Sequence, residues 1–258
     1  METGTDASTA DPAAARVTPR RDELARRLAA VRARIADACV AAGRDPGEVE
    51  LMAVTKFVPA ADVATLLDLG VTLLGENRPQ EATRKVAEVA ALRPAASPRW
   101  HLIGGLQRNK ARLVAPWAAR VESVDSVRLA DALDSAVARA VDEGRRAGPL
   151  SVLLQVSVDG DPARGGVPLD RMDELADHVA GCSALRLDGL MAVAPLGADP
   201  DAAFAAVADA AARLRAAHPR ATVLSAGMSG DLEVAIGHGS QVVRVGTALV
   251  GDRPIASP

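Results

Sequence analysis

Eight short apolar runs, separated by longer amphipathic stretches, limit what this chain can fold into. The runs lie at 51–55 (LMAVT), 71–74 (VTLL), 100–104 (WHLIG), 119–124 (ARVESV), 150–157 (LSVLLQVS), 185–193 (LRLDGLMAV), 221–225 (ATVLS) and 241–245 (QVVRV). Such runs read as strands buried on both faces; 119–124 has the weakest pattern. The stretches between them, such as 60–69, 126–143 and 201–217, read as helices with one apolar face. Strands alternating with helices make a parallel sheet. Eight such units in about 200 residues predict a closed (β/α)8 barrel, with a doubly wound open sheet as the alternative. No G-x-G-x-x-G follows the first run, which weakens a dinucleotide-binding reading. An extra N-terminal helix is expected over 21–42, where Leu24, Leu28, Val31, Ile35 and Cys39 recur at helical spacing before Gly43.

No linker interrupts the chain after residue 20, so 19–258 is expected to form one barrel domain. Residues 1–18 are small and polar, without the apolar centre of a signal sequence, and are expected to be a disordered tail. Of 258 residues 49% are hydrophobic, enough for a substantial core. A net charge of -3, 2% aromatics and no tyrosine argue against nucleic acid as a partner. Cys39 and Cys182 show neither metal spacing nor a disulfide framework, so no metal is expected. No apolar run is long enough to cross a membrane. The protein is expected to be cytoplasmic and monomeric.

Barrel geometry makes one lysine notable. The first run ends AVTKF, so Lys56 stands at the C-terminal end of strand one, the end where barrels of this type carry their sites. Closure sets the eighth strand beside the first. The loop after the seventh run reads SAGMSGD (225–231) and the eighth ends RVGT (244–247). Gly227, Gly230 and Gly246 permit close backbone approach. Ser229 and Thr247 carry hydroxyl donors, and a helix starting near Ser229 would add N–H groups. Arg244, inside an apolar run, needs a specific partner. An amine beside an anion cup suits a phosphorylated aldehyde or ketone, the amine condensing with the carbonyl while the cup holds the phosphate. Pyridoxal phosphate and an aldolase's sugar phosphate both fit.

The segments AVTKF, GENRPQEA, WHLIGGLQRNKAR, VDS, GLMAVAP and SAGMSGDLEVAIGHGSQVVRVGTALVG, in this order, closely resemble the YggS/PROSC family of pyridoxal phosphate-binding (homeostasis) proteins, from about residue 21 to Gly251. The resemblance implies a single (β/α)8 TIM barrel like the N-terminal domain of alanine racemase. It implies pyridoxal 5'-phosphate carried as a Schiff base on Lys56, with Met228 (through its backbone), Ser229, Gly246 and Thr247 at the phosphate. Arg244 then matches an arginine facing the pyridine nitrogen. Asn77 in GEN either reaches the ring oxygen or serves as a turn residue. His101 either contacts the cofactor or is a hydrogen-bonded core histidine. Val58 stands where the family often has a second lysine.

The family's role is to buffer intracellular pyridoxal phosphate and deliver it to apoenzymes, and no catalysis is expected. A racemase of this barrel type takes its second base from a tyrosine in a further domain, and this sequence has no tyrosine. Two alternatives stay open: a pyridoxal phosphate-dependent racemase of low activity, and a Schiff-base sugar-phosphate aldolase.

Overall fold

The computed structural model describes residues 12–161, 164–195 and 197–251. A long helix, α1 (Pro12–Ala41), leads into β1 (Glu50–Val54), α2 (Ala60–Asp68), β2 (Leu73–Glu76), α3 (Pro79–Leu92) and β3 (Arg99–Leu102). Then come α4 (Ala111–Val114), β4 (Arg120–Val124), α5 (Val127–Asp142), β5 (Leu150–Ser157) and a two-residue strand β6 (Val167–Pro168). The chain continues with α6 (Met172–Gly181), β7 (Leu185–Ala192), α7 (Pro200–Ala217), β8 (Val223–Met228), α8 (Leu232–Gly237), β9 (Val242–Val245) and α9 (Thr247–Val250).

All strand pairs are parallel. The order β4-β3-β2-β1-β9-β8-β7-β5 closes through β4–β5, while β6 only pairs alongside the last two residues of β5. The closed eight-stranded barrel is therefore the predicted one, and the open sheet is ruled out. β1 lies in register with β9, Met52 opposite Arg244 and Ala53 opposite Val245. β7 crowds β8 so closely that a side chain at Gly189 would put its first carbon 1.8 Å from the Val223 carbonyl oxygen.

The helices form where their apolar faces match the barrel wall. On α5, Leu129, Ala130, Leu133, Ala136, Val137 and Ala140 are buried, at the i, i+3, i+4 spacing that makes one stripe. α1 buries Leu24, Leu28, Val31, Ile35 and Cys39, the five positions expected, in one cluster with Leu232, Ile236 and Leu249 of α8 and α9. The leading helix thus closes the β1–β9 side of the barrel.

Several boundaries differ from expectation. α1 already runs from Pro12, where alanine-rich sequence favours helix without an apolar repeat to reveal it. Residues 1–11 of the expected tail lie outside the described residues. β8 reaches Met228, and the following helix starts at Leu232 rather than near Ser229, since residues 229–231 form a turn in which Asp231 Oδ1 accepts the Met228 N–H. β4 forms despite its weak pattern. Its Glu122 is fully buried and hydrogen-bonded inside the barrel, so an apolar signal is missing where the fold uses a polar one.

A second polar cluster ties β4, β5 and β7. Arg120 donates from Nε to Ser151 Oγ (2.7 Å) and from Nη2 to Asp188 Oδ2 (3.1 Å). Ser151 Oγ and Arg186 Nε also donate to Asp188, the latter at 2.7 Å. Burial pushes the Asp188 carboxyl up, but Arg186, Ser151 and Arg120 together pull it below the usual aspartate value. A depressed folded pKa contributes stability that is present above the unfolded pKa and lost as pH falls through the folded one. Acid denaturation of the wild type should steepen below about pH 4, and Asp188→Asn should show a shallower loss there while costing about 1–3 kcal/mol at neutral pH. Thermal melts across the acid range check this, and parallel curves would remove Asp188 from the account.

Candidate functional site

β1 ends in the turn Thr55–Lys56–Phe57–Val58, in which the Val58 N–H donates to the Thr55 carbonyl (3.0 Å). Phe57 sits at φ 64°, a left-handed conformation costing a residue with a side chain about 1–2 kcal/mol. Its neighbours hold it there. Glu81 Oε1 accepts the Phe57 N–H at 2.6 Å, and the Arg78 guanidinium lies 4.9 Å from the Phe57 ring centre.

Under the turn lies a buried ammonium. Lys85 of α3 donates to the Thr55 carbonyl (2.6 Å), Glu76 Oε1 (2.8 Å) and Glu81 Oε1 (3.0 Å), so each of its three protons has an acceptor. Thr55 Oγ1 also donates to Glu76 Oε1 (2.7 Å). Burial raises the Glu76 carboxyl above its usual value, against the pull of Lys85 and Thr55. Glu81 is opposite in sign: burial raises it, but the Phe57 N–H and Lys85 outweigh burial and it ends lower. The turn that carries Lys56 is thus held from beneath by a charge cluster on β2 and α3.

Lys56 lines a cavity of about 920 Å³ at the C-terminal ends of the strands. Of the residues expected at the site, Asn77, Met228, Ser229, Arg244, Gly246 and Thr247 line the same cavity. Ile103, Met191 and Val193 supply apolar wall. Gly246 packs against Val54, its built side-chain position 3.6 Å from the Val54 Cβ, so strand nine meets the end of strand one directly. Thr247 opens α9, whose leading N–H groups have no carbonyl within the helix. Asn77 is pressed against Gly104, where any side chain would come within 2.3 Å of the Asn77 carbonyl oxygen. Its Oδ1 is buried without a hydrogen-bond partner, and a buried orphan acceptor costs about 1–3 kcal/mol.

Two expected features are placed differently. The Met228 N–H donates to Asp231 Oδ1 (2.6 Å), so this backbone donor is engaged by a carboxylate. His101 is not on the cavity wall. It is 4% exposed and its Nδ1 lies 2.7 Å from Glu122 Oε1, the hydrogen-bonded core alternative.

Arg244 is 4% exposed, yet borders the cavity. Its Nη1 donates to the Ser225 carbonyl (2.7 Å) and Ser225 Oγ (2.8 Å), and its Nη2 to the Ala192 carbonyl (2.7 Å). Burial lowers its pKa, with Glu122 and Asp231 opposing.

Sequence reasoning missed Glu76, Glu81, Lys85 and Glu122. Glu81 and Lys85 did leave a signal, the i,i+4 spacing of opposite charges on one helix. It also missed the rim. Arg20, Glu23 and Arg27 of α1 border the cavity, with Arg20 bound to Asp62 of α2 (2.7 Å) and Arg27 to Glu23 (2.9 Å).

The alanine racemase N-terminal domain model matches residues 27–254. The chain is 50% identical over 248 residues to the pyridoxal phosphate homeostasis protein of Mycobacterium tuberculosis, covering 93% of this chain and 96% of the relative. Its fold matches that of PipY from Synechococcus elongatus with PLP bound, at TM-score 0.71 and 34% identity, over 88% of this chain and all (100%) of PipY. Alanine racemase from Corynebacterium glutamicum shares the fold at TM-score 0.65 and 17% identity, over 92% of this chain and 62% of the racemase.

The charge cluster under the turn has a direct test. Lys85→Met keeps the length of the side chain but strands Glu76, which is 0% exposed. Breaking a buried pair this way costs about 3–5 kcal/mol. Chemical denaturation should show that loss, and one below about 1 kcal/mol would mean the ammonium does not hold the turn.

Proposed function

Because the chain belongs to the alanine racemase N-terminal domain family, and within it to the pyridoxal phosphate homeostasis proteins, we propose that it binds pyridoxal 5'-phosphate covalently through Lys56 and acts as an intracellular reservoir that releases it to apoenzymes. What carries this reading is the convergence on one cavity of a lysine amine from the end of β1, an arginine from β9 and hydroxyls from the loop after β8 and the start of α9.

The residues present fit the group. The orphaned Asn77 Oδ1 awaits a donor at the cavity wall. Lys56 and Arg244 bring positive charge to a compartment that would take a phosphorylated ring. When bound, the group supplies an aldehyde that condenses with amines and a ring that withdraws electrons. Lys56 supplies the attaching nitrogen, and the Thr55–Val58 turn aims it. Ser229 and Thr247 donate to the phosphate. Arg244 has five N–H donors and uses three on Ser225 and Ala192, which leaves two for the ring edge. An arginine there keeps its own proton, so the ring nitrogen stays an acceptor.

The lining favours holding over turnover. Moving a proton at an amino acid's α-carbon needs a positioned acid or base on each face. Among the described residues the cavity wall holds no tyrosine, histidine or cysteine, and its carboxylates Glu23 and Asp62 are engaged by Arg20 and Arg27.

The purified, loaded protein should be yellow, and borohydride should fix the cofactor on Lys56. Peptide mapping checks the position, and label on Lys85 or Lys110 would overturn the assignment. Loaded wild type should restore an inactive apoenzyme as its own colour fades, while racemizing amino acids more slowly than about 1 per second; faster racemization that depends on Lys56 would make it an enzyme.

Ser229→Ala with Thr247→Ala should remove two charge-assisted hydrogen bonds of about 1.5–3 kcal/mol each. Retention of pyridoxal phosphate should fall by roughly two to four orders of magnitude, and pyridoxal binding much less. Equal loss for both would place the phosphate elsewhere.

A further inference from the structure

Arg244 is backed by a chain of buried polar groups that the binding of a phosphorylated ring does not itself require. Ser225 Oγ accepts from Arg244 Nη1 (2.8 Å) and lies 2.6 Å from Glu122 Oε2, while Glu122 Oε1 lies 2.7 Å from His101 Nδ1. Glu122 and Ser225 are 0% exposed and His101 4%.

The direction of each bond follows from chemistry. A guanidinium has no lone pair to accept with, so Arg244 donates to Ser225. The single hydroxyl proton of Ser225 is then free to donate only onward, to Glu122. Burial raises the Glu122 carboxyl, but the His101 bond, the charges of His101 and Arg244, and the Ser225 bond outweigh it and leave the group below its usual value. An ionised carboxylate only accepts, so His101 Nδ1 carries its proton and donates. Every bond in the row therefore runs toward Glu122.

This arrangement is costly unless it serves something. A carboxylate inside a barrel loses several kcal/mol of hydration, and an apolar pair at these positions would pack without that loss. Two backbone carbonyls, of Ser225 and Ala192, hold Arg244 at Nη1 and Nη2. The row adds the one side-chain contact, Ser225 Oγ, whose rotamer Glu122 fixes, and so tightens the plane of the guanidinium and the direction of its two remaining donors.

Resting on the reading that the cavity holds pyridoxal phosphate, we infer that Glu122, acting through Ser225 and seconded by His101, is the positioning residue that aims Arg244 at the ring nitrogen and so makes the site select a pyridine ring over a benzene ring. Glu122 touches neither the cavity nor the ligand. Its contribution passes entirely through Arg244.

The test compares two ligands, pyridoxal phosphate and its carbon analogue in which CH replaces the ring nitrogen. Both keep the aldehyde and the phosphate, so both report attachment at Lys56, and only the first can accept from Arg244. Wild type should retain pyridoxal phosphate more tightly by about tenfold or more, the worth of one hydrogen bond to a charged donor. Glu122→Gln keeps shape and removes the charge. It should erase most of that preference while changing retention of the analogue by less than about threefold. In an Arg244→Gln background, Glu122→Gln should add nothing, because the two act through one contact. If Glu122→Gln does not fold, Ser225→Ala, which leaves the carboxylate in place, is held to the same two criteria. Equal weakening of both ligands, or an effect of Glu122→Gln that persists without Arg244, overturns the inference and leaves these groups as core structure. Failure of pyridoxal phosphate to attach to wild-type Lys56 overturns the cofactor reading beneath it instead.

Discussion

The parallel ladder between β1 and β9 is the contact on which the rest depends. It joins the first strand of the barrel to the last, pairing Glu50 with Val242 and Ala53 with Val245. Without it Lys56 and Thr247, far apart in sequence, would share no surface. With it the end of β1 and the start of α9 meet at Gly246 and Val54. A chain entropy cost of about 1–2 kcal/mol per ordered residue stands against such a long-range closure. What offsets it is the apolar burial of Ala53, Val243 and Val245 on the helix-facing side of the ladder and of Met52 and Val242 on the other, together with the α1 stripe laid over α8 and α9. The leading helix is therefore more than an appendage. It covers the seam where the barrel closes and contributes the Arg20–Asp62 and Arg34–Glu233 ties across it.

Beneath the cavity the barrel carries charge where a stability-only design would carry hydrocarbon. Two clusters stand out, Lys85 with Glu76 and Glu81, and Glu122 with His101, Ser225 and Arg244. Each lies just behind a residue that faces the cavity. The first holds the turn that presents Lys56, and the second holds the plane of Arg244. Buried ionic groups contribute little net stability but tolerate few alternative geometries. A site meant to hold one ring in one orientation gains from that intolerance. Glu76 Oε2 and Asn77 Oδ1 are buried without a hydrogen-bond partner, and of the two residues Asn77 borders the cavity.

The cavity is also roomy. At about 920 Å³ it is near the upper end of small-molecule sites, and it is rimmed by paired charges rather than roofed by apolar packing. Water and incoming amines reach such a mouth. That suits the proposed reservoir role, because release by amine exchange needs access more than it needs exclusion of solvent.

The sequence by itself determined the alternation of eight strands with helices, because burial on both faces of a parallel strand leaves an apolar run and the crossover helices leave a 3.6-residue stripe, while closure rather than an open sheet was decided by the β4–β5 and β1–β9 pairings. It also determined the candidate ring of residues. Lys56, Ser229, Arg244, Gly246 and Thr247 sit at strand ends, and strand ends are legible once the strands are. Only the tertiary structure decided what stands behind them. His101, Glu122 and Ser225 come from β3, β4 and β8, and nothing in the spacing of 101, 122 and 225 signals that three polar side chains meet in the dark interior of a barrel. Glu122 even hid its own strand, since a buried carboxylate breaks the apolar pattern by which strands are recognised. Local chemistry is written in neighbouring letters, but a hydrogen bond across a barrel depends on register and closure, and those exist only once the chain has folded.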